Sequence, residues 1–249
     1  MTGNAVVLES YNDLAAAGAV QQRFMQHGGT ASERWRYCAR CRQMCDVGGD
    51  CYDFIRLPNH RLAVAIADAS GKGLAAALSI SGLQSSLRTA VSFAGNDPAA
   101  VAEAVNRQVH ASSLAGRYAT LFLGVFDKMT RTLRYVNAGH NPPLVVRPDG
   151  RFAQLDAGGL PVGLFPNGEY SEGVVQLGPA DVLIAYTDGI TEATNSAGEE
   201  FGVERLSQMA ARKASLGADE MVEEIFQAVD EFSAGDQSDD ATVLVLRAG

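Results

Sequence analysis

Asp50, Asp68, Asp188 and Asp239 each sit in a short segment at one end of a strand-like run. Gly48-Gly49-Asp50 follows one run, and Asp68-Ala69-Ser70-Gly71-Lys72-Gly73 follows residues 62–67. Asp188-Gly189 follows residues 182–186, and Asp239-Asp240-Ala241-Thr242 opens the run 243–246. Hard divalent cations take oxygen ligands from carboxylates, main-chain carbonyls and water. Aspartates delivered by separate strand ends can hold two such ions side by side, and a paired-metal site can activate water against a phosphate ester. Two like charges about 4 Å apart repel by roughly 4 kcal/mol at an effective dielectric near 20, so a cluster of this kind invites counter-cations. The formal net charge of −9 fits a metal protein counted without its ions, and it argues against a nucleic-acid binder, which presents a basic face.

The elements that must position these acids are legible from periodicity. Residues 11–27 read as a short helix with Leu14, Ala17, Val20, Phe24 and Met25 on one side, ended by Gly28-Gly29-Thr30. Strands are expected at 34–43, 52–57 and 62–67, the last two joined by a Pro58-Asn59 turn. A helix over 74–93 carries Ile80, Leu83, Leu87 and Val91 at helical spacing. A second starts at Asp97-Pro98, an N-cap aspartate followed by a proline at the first helical position. Hairpins are expected from 119–126 with 132–138, and from 144–147 with 151–155 through Asp149-Gly150. Strands at 173–177 and 182–186, helices at 203–212 and 220–232, and a last strand at 241–247 complete the chain. Hairpin-linked strands with helices inserted in pairs give an α+β fold of antiparallel sheets covered by helices, not a doubly wound parallel sheet.

The acid-bearing segments also occur in a recognisable order. Val47-Gly48-Gly49-Asp50-Cys51-Tyr52-Asp53, Asp68-Ala69-Ser70-Gly71-Lys72-Gly73, Asn137-Ala138-Gly139-His140-Asn141-Pro142-Pro143, Tyr186-Thr187-Asp188-Gly189 and Asp239-Asp240-Ala241-Thr242 together resemble the metal-dependent protein phosphatase (PPM) family. More narrowly, the chain is similar to the bacterial branch typified by the sporulation stage II protein E and Rsb-type phosphatases, over residues 35–247. The resemblance implies a sandwich of two antiparallel β-sheets flanked by α-helices, with two Mn²⁺ or Mg²⁺ ions at one end. It implies that Asp68 bridges both ions, that Asp50 and the Ala69 carbonyl serve one, and that Asp188 and Asp239 serve the other. Asp240 is the adjacent alternative to Asp239, and the family pattern favours the first of the pair. Larger eukaryotic-type relatives have Asp-Gly-His-Gly where this chain has Ser70, so their candidate proton donor is missing and the group that protonates the leaving alkoxide stays open.

His140 is a weak candidate for that acid, against the plainer reading that it braces the turn of residues 137–143. Lys72 is a weak candidate for orienting a substrate phosphate, against a solvent-facing lysine at a helix start. Asp53 is either a hydrogen-bond acceptor behind the ligands or a water-mediated metal contact. Cys38, Cys41, Cys45 and Cys51 lack paired zinc knuckles, and Cys38 and Cys41 fall three apart on one strand, pointing to opposite faces. They read as reduced thiols. Ser70-Gly71-Lys72-Gly73 fails as a P-loop, because Ile66 stands where that motif needs its first glycine and Gly73 follows the lysine. Cys51 and Tyr52 break any likeness to a Gly-Gly-Asp-Glu-Phe signature.

No apolar run approaches the roughly eighteen residues that cross a bilayer, and no basic-then-apolar leader opens the chain, so a cytoplasmic protein is expected, bound neither to membrane nor to nucleic acid. The expected organisation is an N-terminal helical extension over 1–30 and a catalytic domain over 31–249. By resemblance the activity is metal-dependent serine/threonine phosphoprotein hydrolysis on a STAS-type anti-sigma-factor antagonist. The helix of residues 11–27 is a candidate homodimer or regulatory-partner element. The alternatives are a degenerate phosphatase domain that only binds, and a small-molecule phosphohydrolase.

Overall fold

The structure is a computed structural model that describes residues 3–25, 35–114 and 116–248. Its elements run α1 (Gly3–Phe24), β1 (Trp35–Arg42), β2 (Asp50–Leu57), β3 (Arg61–Ala69), α2 (Leu74–Ala94), α3 (Pro98–Ser112), β4 (Ala119–Asp127), β5 (Thr132–Ala138), β6 (Leu144–Val146), β7 (Phe152–Gln154), β8 (Gly158–Gly159), β9 (Gly173–Gln176), β10 (Val182–Tyr186), α4 (Asp188–Thr191), α5 (Gly202–Arg212), α6 (Ala218–Ser233) and β11 (Ala241–Ala248). One sheet has the order β1-β11-β10-β6-β7, and the other β2-β3-β4-β5-β8 with β9 added beside β5. All pairings are antiparallel except β5 with β8, which is parallel.

Three apolar layers stack these elements, as an α+β sandwich requires. Successive side chains on a strand point to opposite faces, and β3 uses both. Leu62, Val64 and Ile66 face the other sheet, while Ala63, Ala65, Ala67 and Ala69 face α2 and α3. Small alanines there let the helices lie close, with Ile80, Leu83, Leu87 and Val91 of α2 and Val101, Val105 and Val109 of α3 filling the layer. On the far side, Val243 and Val245 of β11 meet Val222, Ile225, Phe226 and Val229 of α6, while Leu244 and Leu246 turn inward. Asp97 caps α3 by accepting a hydrogen bond from the Ala100 amide, 3.0 Å.

Several expectations need correction. α1 starts earlier than residue 11, and the expected apolar stripe is only partly its buried face, with Leu14 and Ala17 half-buried. Gly18, Gln21 and Met25 are buried, whereas Val20 is 56% exposed and Phe24 is also exposed. The proposed stop at Gly28-Gly29-Thr30 lies outside the described residues. The strands expected at 173–177 and 182–186 are both present, in different sheets: β9 pairs with β5, and β10 pairs with β6 and β11. The two-residue β8 and the one-turn α4 were not expected, being too short to carry a periodic signal. Cys38 packs on the α6 side and Cys41 on the inter-sheet side, in accord with strand alternation, and all four cysteines are free thiols. Among the described residues no helix is long and apolar enough to cross a membrane.

Phe122 sits between the sheets, stacked on Tyr135 with ring centroids 5.7 Å apart. Phe122→Ala should cost roughly 3–5 kcal/mol of stability. Urea unfolding checks this, and a loss below about 1 kcal/mol would contradict a close-packed inter-sheet layer.

Candidate metal centre

The β2–β3 register sets the first pair of acids. Asp50 at the start of β2 lies directly opposite Asp68 near the end of β3. Asp50 is only 2% exposed, and its Oδ2 accepts hydrogen bonds from the hydroxyls of Thr187 (2.8 Å) and Thr242 (2.7 Å). The Thr187 hydroxyl in turn accepts from the Thr242 amide, 2.9 Å. Two threonines from the other sheet therefore fix this carboxylate across the sandwich. Neither threonine was singled out from the sequence, although both stand in the quoted motifs next to acids.

Asp188, at the start of α4, and Asp239, just before β11, complete the group. Burial raises the Asp68 carboxyl to about 7, helped by the negative charges of Asp188, Asp239 and Asp240. Burial and then Asp68 raise Asp50, and burial and then Asp239 raise Asp188. These carboxylates thus sense one another as a crowded set of like charges.

Asp239 and Asp240 have different jobs. Asp240 accepts the Met44 and Gly49 amides, one on each oxygen and both at 2.7 Å, so it ties the segment before β2 to the start of β11. Asp239 accepts the Asp240 amide on Oδ1 and pairs its Oδ2 with the Lys72 ammonium at 2.7 Å. Lys72 is 65% exposed at the mouth of the group, and Asp239 first of all raises its pKa.

The backbone at Ala69 belongs to the same place. The Ala69 amide donates to the Gly49 carbonyl, 3.0 Å. A side chain at Gly49 would press on the Ala69 carbonyl oxygen (3.3 Å) and Asp68 Oδ1 (3.5 Å), so both oxygens look toward the space that a glycine leaves open. Among the described residues, no three His, Cys, Asp or Glu side chains are already set to hold an ion. The donor set nevertheless suits hard divalent cations. It is all oxygen, it carries excess negative charge, and one member at about 7 would otherwise keep a proton near neutrality.

Asp53 stands apart from the acids. It lies on the helix-facing side of β2, where Arg88 grips it with two hydrogen bonds of 2.6 Å and Gln84 adds a longer one of 3.4 Å. The Ser70 hydroxyl accepts the Tyr118 amide, 3.0 Å, and its carbonyl accepts from Arg117, 2.7 Å.

His140 is buried. Its amide donates to Asn137 Oδ1 (2.7 Å), its carbonyl accepts from Asn137 Nδ2 (3.0 Å), and its Nδ1 meets the Thr120 hydroxyl at 2.8 Å. Nε2 lacks a partner of good geometry, although the nearby Tyr186 backbone partly opposes the pKa fall. Burial lowers the ring to about 4 from 6.5. The unfolded chain therefore takes up this proton first. The stabilisation from a neutral His140 is complete above pH 6.5 and declines as pH falls toward 4. An NMR titration should show the His140 ring neutral at pH 5.5, and a midpoint near 6.5 would contradict the buried neutral ring.

Comparison with known proteins agrees with this architecture. The chain is 28% identical to phosphoserine phosphatase RsbU of Bacillus subtilis over 81% of its own length and 59% of that protein's. It spans between 35% and 59% of the length of three curated relatives that it matches. The fold matches the SiaA-PP2C domain of Pseudomonas aeruginosa with a TM-score of 0.86 at 22% identity, each chain covered completely. It also matches RsbX, solved in complex with magnesium, with a TM-score of 0.69 at 17% identity, over 90% of this chain and all of that one. The model of the stage II sporulation protein E family matches residues 58–249. With most of its length inside that match and a PP2C-type sandwich around the acids, the chain belongs to the stage II sporulation protein E (SpoIIE) family.

Proposed function

We propose that this chain is a serine/threonine phosphoprotein phosphatase that depends on two divalent cations, Mn²⁺ or Mg²⁺. The observation that carries the reading is the gathering of Asp50, Asp68, Asp188 and Asp239, from both sheets, at one edge of a PP2C-type sandwich. Similarity to a phosphoserine phosphatase and to a magnesium-bound neighbour supports it. In this reading Asp68 would serve both ions, Asp50 and the Ala69 carbonyl would hold one, and Asp188 and Asp239 would hold the other. Asp239 is preferred to Asp240 because Asp240 ties the Met44 and Gly49 amides of the segment before β2 to the start of β11, whereas Asp239 holds only the amide of its own neighbour and an exposed lysine. When bound, the ions supply an activated water and neutralise charge on the phosphoryl oxygens.

The chain's own residues do the rest. Thr187 and Thr242 fix the orientation of Asp50. Asp240 holds the Gly49 backbone. Lys72 offers a positive point charge at the mouth, suited to drawing in a phosphate once Asp239 turns to its ion. His140, which burial keeps neutral inside the fold, holds no imidazolium proton to give at neutral pH.

The proposed organisation is an extension over residues 1–30 and a catalytic domain over 31–249. The proposed substrate is a phosphorylated STAS-type anti-sigma-factor antagonist in the cytoplasm, where thiols such as the free cysteines stay reduced. The extension is proposed to serve as a homodimer or regulatory-partner element, because α1 leaves Val20 and Phe24 exposed. Sedimentation of the chain with and without residues 1–30 checks this, and an unchanged mass with unchanged partner response would reject it.

One observation favours a second reading. Asp239 is paired with Lys72, and among the described residues no ligand triad is preformed, as in a domain that binds a partner without turnover. Hydrolysis of p-nitrophenyl phosphate with Mn²⁺, with and without EDTA, separates the two. A phosphorylated STAS protein in competition with nucleotides separates a protein phosphatase from a small-molecule phosphohydrolase. Asp68→Asn or Asp188→Asn should lower metal-dependent turnover at least about a thousandfold while the fold persists. Normal turnover by either variant would refute the assigned roles.

A further inference from the structure

α1 touches the candidate metal centre through one buried amide. Gln21 is 6% exposed. Its Nε2 donates to the Gly48 carbonyl at 2.7 Å, and its Oε1 accepts the Gly48 amide at 3.1 Å. Both main-chain groups of one residue are therefore held by a single side chain, as a neighbouring strand would hold them. Gln43 Nε2 also donates to Gln21 Oε1, 2.8 Å, and locks the amide orientation. Gly18 lies one turn earlier on α1, where a Cβ would collide with the Asp46 carbonyl. A glycine there lets the helix backbone lie directly on the segment that leads into β2.

The contact continues inward. Gly48 is followed by Gly49, whose amide is held by Asp240 and whose carbonyl accepts the Ala69 amide. Gln21 thus reaches the Ala69 peptide in three steps, the hydrogen bonds to Gly48, the peptide link to Gly49 and the Gly49–Ala69 hydrogen bond, and Gly48 lies two residues before Asp50. The C-terminal end of α1 is held separately, by Gln84 of α2 donating to the Phe24 carbonyl at 3.0 Å. Apolar packing contributes less to holding α1. A cavity of about 320 Å³, lined by Val20, Phe24, Leu74 and Leu78 among others, opens between α1 and α2. All four of these side chains are exposed. Over residues 13–24 buried polar bonds and the close approach at Gly18 hold α1, while Met25 just beyond it is anchored in the inter-sheet layer.

We propose that Gln21 is a positioning residue. From α1 it clamps the Gly48–Gly49 backbone, and through it sets the Ala69 peptide and Asp50 at the spacing that the cation site needs. The second half of this statement rests on the phosphatase reading above; the clamp itself does not. A buried amide satisfied at both ends holds geometry well, because leaving either partner of a buried hydrogen bond unpaired is costly. Loosening α1 would loosen the ligand set without any ligand being replaced.

The test compares the full chain with Gln21→Met, which keeps length and apolar volume but makes neither bond, and Gln21→Glu, which keeps the acceptor for the Gly48 amide. Three quantities are read: thermal unfolding, amide hydrogen exchange in the metal-free protein, and Mn²⁺ affinity by calorimetry. In Gln21→Met the Gly48 and Ala69 amides should exchange faster, and Mn²⁺ should bind about tenfold more weakly or worse, while the unfolding temperature shifts by only a few degrees. Gln21→Glu should keep the Gly48 amide protected, and it carries the comparison if the methionine variant does not fold. Unchanged exchange at both amides overturns the clamp. Faster exchange with unchanged Mn²⁺ affinity overturns its link to the cation site. If the unmodified chain binds no Mn²⁺, the phosphatase reading and that link fail together, while the exchange data still decide whether Gln21 holds the segment.

Discussion

The repulsion among carboxylates gathered at one edge of the sandwich is the constraint around which the rest is arranged. Opposing Asp50 and Asp68 across two adjacent strands is unfavourable by itself, and Asp188 and Asp239 add to it. Folding tolerates the arrangement because three of the neighbouring acids are restrained by other groups. Two threonine hydroxyls bind Asp50, a lysine pairs with Asp239, and Asp240 is given over to backbone amides. Such a site costs stability when empty of cations and regains it when they bind, which is the usual linkage between a metal and a fold.

The sandwich supplies rigidity where the acids need it. Strand pairing fixes the β2–β3 register over the whole length of β2, so a one-residue slip would turn Asp50 away from the site and Tyr52 and Phe54 out of the inter-sheet layer. The inter-sheet contact then brings β10 and β11 up behind β2, close enough for Thr187 and Thr242 to reach Asp50. The site is therefore built between the sheets and not on either one. Damage to the inter-sheet core is expected to reach it through alignment more than through direct contact.

The parts of this picture visible in the sequence were those with local signals. α2, α3 and α6 followed from apolar spacing, and Asp97-Pro98 marked the start of α3 because capping is a short-range event. What could not be read depended on distant partners. α1 looked amphipathic along Ala17, Val20 and Phe24, yet it buries Gly18 and Gln21, because its neighbour is a polar backbone segment and not an apolar layer. The pairing of β9 with β5 carried no local signal, because the partner lies about forty residues away. Thr187 and Thr242 belong to motifs already noticed, but their meeting at Asp50 spans 137 and 192 residues of sequence. Asp53 carried no local mark that its partner would be Arg88 on α2.

The central claim is that these acids hold a pair of cations. Anomalous diffraction at the manganese edge from crystals soaked in Mn²⁺ tests it most directly. The account predicts two adjacent peaks among Asp50, Asp68, Ala69, Asp188 and Asp239, with Lys72 released from Asp239. A well-ordered site with no peak among those oxygens, in crystals saturated with Mn²⁺, would contradict it.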